Sequence, residues 1–194
     1  GFIPLETIAG SGYVTHFLKH WRTKQEDAGT LLRIVMAWQQ YQAGTSFSIL
    51  NNTEYKLDYV QGRYIPAVRE YLHKIKAKIN INPNFVAQPL RGNDKTIMEM
   101  AAAMQLTKTQ RTRLNCVRMY LGITWLSEIC TPNGKYIQPH IFKHELDETE
   151  YTPKQTRPYQ PNPNTHSWKI LKRLIRTITE KDNRTLTPDH QLQQ

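Results

Sequence analysis

Two cysteines and two histidines are the residues best suited to bind a metal ion, because together they match the Cys2His2 ligand set of many structural zinc sites. Cys116 and Cys130 lie fourteen residues apart, however, without the short Cys-x-x-Cys spacing that sets one corner of a tetrahedral site. His140 and His144 have the spacing of a ligand pair, but Cys116 falls among core positions of a predicted helix. The sequence therefore favours structural cysteines and solvated histidines, and we predict no metal site and no cofactor.

Residues for nucleophilic or phosphoryl-transfer chemistry do not form a recognisable motif. The chain lacks the Gly-x-Ser-x-Gly nucleophile turn and any glycine-rich loop that would hold phosphate groups. Asp147, Glu148 and Glu150 lie close together, but in a proline-rich segment that does not position carboxylates rigidly. We expect a solvated acidic loop there and predict that this chain, taken alone, is not an enzyme.

The strongest chemical signal is positive charge. Among 194 residues there are 26 Lys and Arg against 16 Asp and Glu, which gives a formal net charge of +10. Such an excess favours a polyanionic partner, and basic side chains on helices bind the phosphates of RNA or DNA. The alternative is a charged face that is merely solvated. The residues predicted to contact phosphates lie on the fifth and the last helix: Arg111, Arg113, Arg118, Lys169, Lys172, Arg173 and Arg176.

Aromatic residues lie on or beside the basic helices, at Tyr64, Tyr71, Tyr120 and Trp168. Exposed aromatic rings stack on unpaired bases, which would add to the binding of a single strand. The same rings suit a hydrophobic core equally well. Both interpretations stay open at the level of sequence.

Apolar periodicity predicts the helices that carry these side chains. After an extended segment over 1–12, Ser11 is placed to cap a first helix that buries Phe17 and Trp21. A second helix ends at Gly44, which suits a left-handed C-cap. Its predicted buried stripe is Leu31, Ile34, Val35, Trp38 and Tyr41. A third helix begins near Arg63, and its predicted apolar seam is Ile65, Val68, Leu72, Ile75 and Ile79.

The second half of the chain has clearer helix signals. Asn93 or Asp94 caps a fourth helix, and Thr107 with Gln110 forms the capping box of a fifth. The predicted core positions of these two helices are Ile97, Met100, Ala101, Met104, Leu114, Val117 and Leu121. A last amphipathic helix buries Trp168, Leu171, Leu174, Ile175 and Ile178. Short strand-like runs lie at 47–50 and 123–129, the latter also compatible with a continued helix, and 131–134 is a turn.

These elements predict a mainly α fold: a single helical domain of five or six helices with a small strand element over 1–137. A proline-rich linker or arm over 138–165, the amphipathic basic helix over 166–180 and a disordered tail over 181–194 follow. No apolar run is long enough to span a membrane, and two cysteines fit a reducing compartment, so we expect an intracellular protein, cytoplasmic or nuclear. The first residue is glycine, so we expect a fragment of a longer chain.

One stretch, 91–137, has a distinctive order of residues: Arg-x-Asn-Asp-x-x-Ile-Met, then Asn-x-x-Arg-Met-Tyr-Leu, then Leu-Ser-Glu-Ile and a glycine turn. This order resembles the region after the polymerase core in reverse-transcriptase-like proteins of protist retrotransposons of the non-long-terminal-repeat type. Flanking segments extend the resemblance over most of 12–174. The residues that carry it are Arg91, Asn93, Asp94, Ile97, Met98, Asn115, Arg118, Met119, Tyr120, Leu121, Leu126, Ser127, Glu128, Ile129 and Gly134.

The resemblance implies a thumb or connector that holds RNA or DNA for a polymerase core upstream in the same polypeptide. The paired aspartates of the polymerase motif are missing, since the nearest string, 57–60, has only Asp58. An alternative is a helical protein–protein interaction module that docks partner helices on the third-helix seam and on the stripe of Trp168, without affinity for nucleic acid. A third interpretation places the last helix on a membrane surface with Trp168 as its anchor.

Overall fold

The computed structural model describes residues 3–23, 27–143 and 163–193. The chain is mainly helical, as predicted. It divides into two compact units, Gly1–Ala87 and Gln88–Gln194, where a single domain over 1–137 is expected from the sequence. The division falls in an irregular segment, because the helices on either side of it bury their apolar faces within their own unit.

In the first unit, helix α1 (Leu5–Arg22) packs against both α2 (Asp27–Ala43) and α3 (Tyr64–Lys74), and a 3-10 turn follows at Pro83–Phe85. Apolar side chains from these helices and from the loop between α2 and α3 make one core. Its most buried members are Phe17, Met36, Ala43, Ile49, Leu50, Ile65 and Val68.

Helix α1 begins earlier than predicted. It starts directly after Pro4, so Ser11 is not its N-cap; the Ser11 hydroxyl donates instead to the carbonyl of Ile8, 3.0 Å away within the helix. The early start lets Gly10 lie against the ring of Tyr71. A Cβ added at Gly10 would stand 2.1 Å from Tyr71 Cδ2, so this glycine permits the close approach of α1 to α3.

Helix α2 turns inward a different face from the one predicted. Three residues expected in the core are exposed: Leu31, Ile34 and Val35, at 61%, 60% and 40%. Gln40 lies on the buried face. Its Oε1 accepts a hydrogen bond from the Ile49 N–H at 3.1 Å, and its Nε2 donates to the carbonyl of Phe47 in the same loop. The backbone groups of this loop have no sheet partners, so several of them pair with glutamine side chains of α2. Glutamines therefore share the inner face with apolar residues.

The end of α3 and the loop before it also differ from expectation. The helix ends at Lys74, and Lys76 has a φ of 54°, so the expected seam breaks before Ile79 and leaves Ile75 exposed. Residues 47–50, predicted as a strand, form a turn in which the Asn51 N–H donates to the Ser48 carbonyl at 3.0 Å.

The second unit contains α4 (Ile97–Ala102), α5 (Lys108–Leu121), α6 (His140–Lys143) and α7 (Thr165–Ile178), with 3-10 turns at Leu126–Ile129 and Pro188–His190. Helix α5 packs against α4 and along α7. The run 123–129, predicted as a strand or a continued helix, is mainly a 3-10 turn. An antiparallel bridge between Thr96 and Trp125 lies directly before this turn. Most of the expected proline-rich arm lies outside the described residues.

Local signals correctly locate α5. Its capping box is formed as predicted: the Gln110 N–H donates to the Thr107 hydroxyl at 3.2 Å, and the Thr107 N–H donates to Gln110 Oε1 at 3.0 Å. Gly122 ends the helix with a φ of 68°. Helix α4 is capped by Thr96 rather than by Asn93 or Asp94, because the Thr96 hydroxyl accepts the Glu99 N–H at 3.1 Å.

The C-terminal residues, expected to be disordered, belong to the second unit. Leu186 and Leu192 are buried, and antiparallel bridges join Tyr136 to Thr185 and Gly92 to Gln193. The polar composition of 181–193 conceals these two apolar anchors and the backbone pairing that holds them. Within the described part of the chain, all β pairing consists of such isolated bridges.

Candidate nucleic-acid interface

Two helices that pack against each other in the second unit, α5 and α7, carry all the predicted phosphate contacts. Neither helix contains Asp or Glu, so no carboxylate within them neutralises their charge. Their cationic residues are Lys108, Arg111, Arg113, Arg118, Lys169, Lys172, Arg173 and Arg176. Lys108 is not among the predicted phosphate contacts, but it is exposed at the start of α5.

Three exposed residues of α7 form what we call the α7 stripe: Lys169, Arg173 and Arg176. Their spacings of four and three residues place them on one side of the helix over about 10 Å of its axis. Among the described residues, none of the three has a hydrogen-bond or ion-pair partner. Lys172 lies half-buried at the edge of the stripe. Several phosphates of a nucleic acid fit within this length, since duplex DNA carries one charge per about 1.7 Å of axis.

The apolar face of α7 holds the stripe outward. Asn164 caps the helix, where its Oδ1 accepts the Ser167 N–H at 3.0 Å. The five predicted core residues are all buried: Trp168, Leu171, Leu174, Ile175 and Ile178. Because Trp168 is buried, it is not available as the membrane anchor that the third interpretation of the sequence required. The outward direction of the α7 stripe follows from this packing.

On α5, Arg111 and Arg113 are half-exposed. The Arg111 guanidinium donates to the carbonyl of Leu106, just before the helix, which ties part of its hydrogen-bonding capacity to the protein. For Arg113 no hydrogen bond or ion pair is found among the described residues. Arg113 is therefore the predicted α5 residue best placed to extend the cationic surface.

Arg118 is not part of this surface, and the prediction that it lies on the outside of α5 is wrong. Its side chain is fully buried. Nε donates to Asn115 Oδ1 at 2.9 Å, and Nη1 donates to the carbonyl of Ile123 at 3.1 Å. The guanidinium joins the last turns of α5 to the chain that leaves it, so its role is to hold the fold together.

The polar residues of the 91–137 stretch have the same structural role. Asp94 Oδ1 accepts the N–H of Ser127 at 3.1 Å, across more than thirty residues of chain. Glu128 Oε2 accepts two backbone N–H groups, from Thr124 at 2.6 Å and Trp125 at 2.7 Å. Backbone hydrogen bonds from Ile97 N to Thr124 O and from Leu126 N to Lys95 O run alongside. The distinctive order of this stretch thus specifies a packed junction.

The aromatic residues near the basic helices are used in packing. Tyr120 and Trp168 meet edge to face with their ring centroids 6.2 Å apart. In the first unit, Tyr64 Oη lies 2.9 Å from His16 Nδ1, and Tyr71 lies against Gly10. Burial raises the pKa of Tyr64 and of Tyr120. Of the two interpretations left open by the sequence, these contacts favour the core.

The cysteines are free and buried. Burial raises the pKa of the Cys116 thiol to about 11 and that of Cys130 to about 12, with the Asp94 carboxylate adding to the second shift and Arg91 opposing it. His140 is exposed, and His144 lies outside the described residues. No group of three or more His, Cys, Asp and Glu side chains in the described part of the chain is arranged to hold a metal ion.

Two basic residues of α3, Arg69 and Lys74, are engaged within the first unit. Arg69 donates to the carbonyls of Ile49 (2.9 Å), Asn52 (3.0 Å) and Tyr55. Its partial burial lowers its pKa. Lys74 pairs with an α1 carboxylate at 3.1 Å. Arg69 therefore organises a loop, a role that no local sequence signal indicates.

None of the helices in the described residues has both the length and the apolar character needed to cross a bilayer. Comparison with known proteins gives no match to a family model, to a curated protein or to a solved structure.

Proposed function

We propose that the chain is a non-catalytic module that binds the phosphate backbone of RNA or DNA through the α7 stripe, together with Arg113 and Lys108 of α5. The observation that supports this most is the α7 stripe itself: three exposed cations on one side of a helix without a carboxylate and without partners among the described residues. Exposed cations of this kind release counterions when they neutralise phosphates, which favours binding at low salt.

A finer proposal rests on the resemblance of 91–137. There the module is the thumb or connector of a retroelement reverse transcriptase, holding template and primer for a polymerase core in the same polypeptide. The test is to read the transcript upstream of the codon for Gly1. A continuous frame that encodes a palm-like segment with paired aspartates supports this assignment, whereas an unrelated frame overturns it and leaves the binding proposal standing.

The binding proposal is tested by fluorescence anisotropy with labelled 20-mers of single-stranded RNA, single-stranded DNA and duplex DNA, titrated between 50 and 300 mM salt. The variant is the triple substitution Lys169→Gln, Arg173→Gln and Arg176→Gln. The matched control removes three exposed lysines of the first unit: Lys19→Gln, Lys76→Gln and Lys78→Gln. Both variants lose the same charge, so any general electrostatic effect is common to them.

We expect the α7 variant to lower the slope of log K against log salt by about 2 for a single strand and by nearly 3 for duplex DNA, on the order of 0.7–0.9 for each phosphate that the protein no longer neutralises. The control keeps most of its slope. If the two variants behave alike, the α7 stripe is not the binding surface.

For the competing function, a protein-interaction module, most residues of the two surfaces first suggested are buried, although Ile75 of the third-helix seam is exposed. Val68 and Leu72 of the third-helix seam and Trp168 of the last helix are buried within their own units. This alternative would be favoured over ours by two results together. The chain would bind a partner protein with an affinity that does not depend on salt, and it would bind none of the three 20-mers.

A further inference from the structure

We propose that the first unit has a binding site for a small apolar molecule that carries a hydrogen-bond donor. A cavity of about 240 Å³ lies between α2, the loop that follows it and the first turns of α3. All of its lining residues belong to the first unit, whereas α5 and α7 belong to the second. Its lining comes from Gln39 together with residues between Ile49 and His73.

Apolar side chains form most of the cavity wall. Ile49 and Ile65, each 1% exposed, are its most buried members, and Leu57, Val60 and Pro66 complete the apolar part of the lining. A wall of this kind gains from contact with hydrocarbon and offers water few partners. The occupant is therefore largely apolar.

One buried polar atom specifies what the occupant must add. Gln39 is 5% exposed and lines the cavity. Its Nε2 donates to the carbonyl of Gln61 at 2.6 Å, whereas its Oε1 is buried and has no hydrogen-bond partner among the described residues. A buried acceptor without a donor is unfavourable, so an occupant with an N–H or O–H group satisfies it.

Gly62 helps to hold the Gln39 amide in place. A Cβ at Gly62 would lie 2.5 Å from Gln39 Nε2. The glycine also has a φ of 136°, a backbone conformation that residues with a side chain rarely adopt. The short bond to Gln61 and the absence of a side chain at Gly62 position the amide before any ligand arrives. An acceptor fixed in this way binds with less loss of side-chain freedom.

The charged groups of the lining favour a neutral occupant, because Arg69 and Glu70 carry opposite charges. Arg69 uses its Nε and Nη2 groups on three loop carbonyls. Glu70, also in the lining, is exposed and contributes a carboxylate whose charge opposes that of Arg69. The cavity is smaller than the roughly 300–1,000 Å³ of pockets for drug-sized ligands, so it suits a fragment such as a single bicyclic ring.

Indole and 1-methylindole are suitable probes, because they have nearly the same apolar surface and only indole has an N–H donor. Binding to the full chain is followed by isothermal titration calorimetry and by ligand-observed NMR. We expect saturable binding of indole and at least about tenfold weaker binding of 1-methylindole, the scale of one hydrogen bond to a buried group. Tryptamine, a cation, and indole-3-propionate, an anion, are both expected to bind more weakly than neutral indole, because a charged group loses hydration in a largely apolar cavity.

Two variants test the site itself. Gln39→Leu keeps the bulk of the side chain and removes the acceptor, so the preference for indole over 1-methylindole should disappear. Val60→Phe fills the cavity and should abolish binding of both probes. Val68→Ala is the matched control: Val68 is fully buried in the same core but does not line the cavity, so this variant reports the effect of a destabilised unit on binding.

Circular dichroism establishes that each variant is folded before it is titrated. The proposal is overturned if the folded wild-type chain fails to bind indole at millimolar concentration, or if it binds indole and 1-methylindole equally. It is also overturned if Val60→Phe binds indole as the wild type does. Loss of binding in Val60→Phe with retention in Val68→Ala supports it.

Discussion

Arg118 Nε donates a hydrogen bond to Asn115 Oδ1 at 2.9 Å, and both side chains are buried on the inner side of α5. The same guanidinium donates to the carbonyl of Ile123, beyond the left-handed C-cap at Gly122. A cation in this position stabilises the end of a helix, where backbone carbonyls have no partners within the helix. Charge on α5 is thus divided between a structural interior and an outer surface.

Replacing Arg118 with Met should destabilise the second unit by about 3 kcal/mol, because Asn115 and the carbonyl of Ile123 would be left buried without donors. Arg118→Lys should recover little of this stability, since an ammonium does not reproduce the planar fork of the guanidinium. Urea unfolding followed by circular dichroism measures both variants. Wild-type stability in Arg118→Met would show that the buried network contributes little.

Arg113 and Arg118 should separate binding from stability. Arg113→Gln removes a half-exposed charge, so we expect unfolding within about 0.5 kcal/mol of wild type and a shallower salt dependence of nucleic-acid binding, by about one phosphate contact. Arg118→Gln should show the reverse pattern: it should lower the stability, and its salt dependence of binding should match that of the wild type under conditions where the variant is folded. The contrast is read from one urea titration and from anisotropy titrations at several salt concentrations for each variant. Equal effects on both properties would contradict the division.

Substitution of two glycines of α1 by alanine should change the stability in opposite directions. Gly10→Ala should cost about 1–3 kcal/mol, because the new Cβ would stand 2.1 Å from Tyr71 and force α1 away from α3. Gly12→Ala has open space around its Cβ and should stabilise the helix by about 0.5–1 kcal/mol. Thermal and urea unfolding of the first-unit transition provide the comparison. Gly10→Ala combined with Tyr71→Ala should recover part of the stability, and a lack of recovery would count against this contact.

Local signals in the sequence were sufficient to predict α5 and α7. The Thr107–Gln110 capping box is recognisable within four residues of sequence. The large apolar residues of α7 lie on a single face, so only one side of this helix can pack inward. The same reasoning explains why the α7 stripe could be located from sequence, since an outward face follows once the inward one is known.

Long-range polar contacts explain the rest. The inner face of α2 combines Leu32 and Met36 with Gln40, which hydrogen-bonds to the loop that follows, and a stripe of large apolar residues is left exposed. Arg118 looks like any basic residue on a helix until the carbonyl of Ile123 is placed beside it. The cavity beside Gln39 needs residues from two helices and a loop, so no single motif indicates it.

The buried thiols make stability depend on pH in the alkaline range. An unfolded cysteine loses its proton near its ordinary pKa of 9.0, whereas burial raises the pKa of Cys116 to about 11 and of Cys130 to about 12. Between these values the folded state holds more protons than the unfolded state, so stability must fall as the pH rises from about 9 to 12. The contribution of the thiols is complete below pH 9, where both states are protonated.

Stability is measured by urea unfolding at pH 8, 9 and 10 for the wild type and for Cys116→Ala/Cys130→Ala. We expect the wild type to lose stability over this range more steeply than the double variant, in which the thiols no longer titrate. In native protein at pH 8, both thiols should also resist a disulfide reagent such as 5,5′-dithiobis(2-nitrobenzoate), because burial keeps them protonated and out of reach of the reagent. Both should react fully once urea unfolds the chain. Rapid native labelling, with identical pH profiles for the two proteins, would mean that the cysteines are accessible and contribute nothing to the alkaline loss of stability.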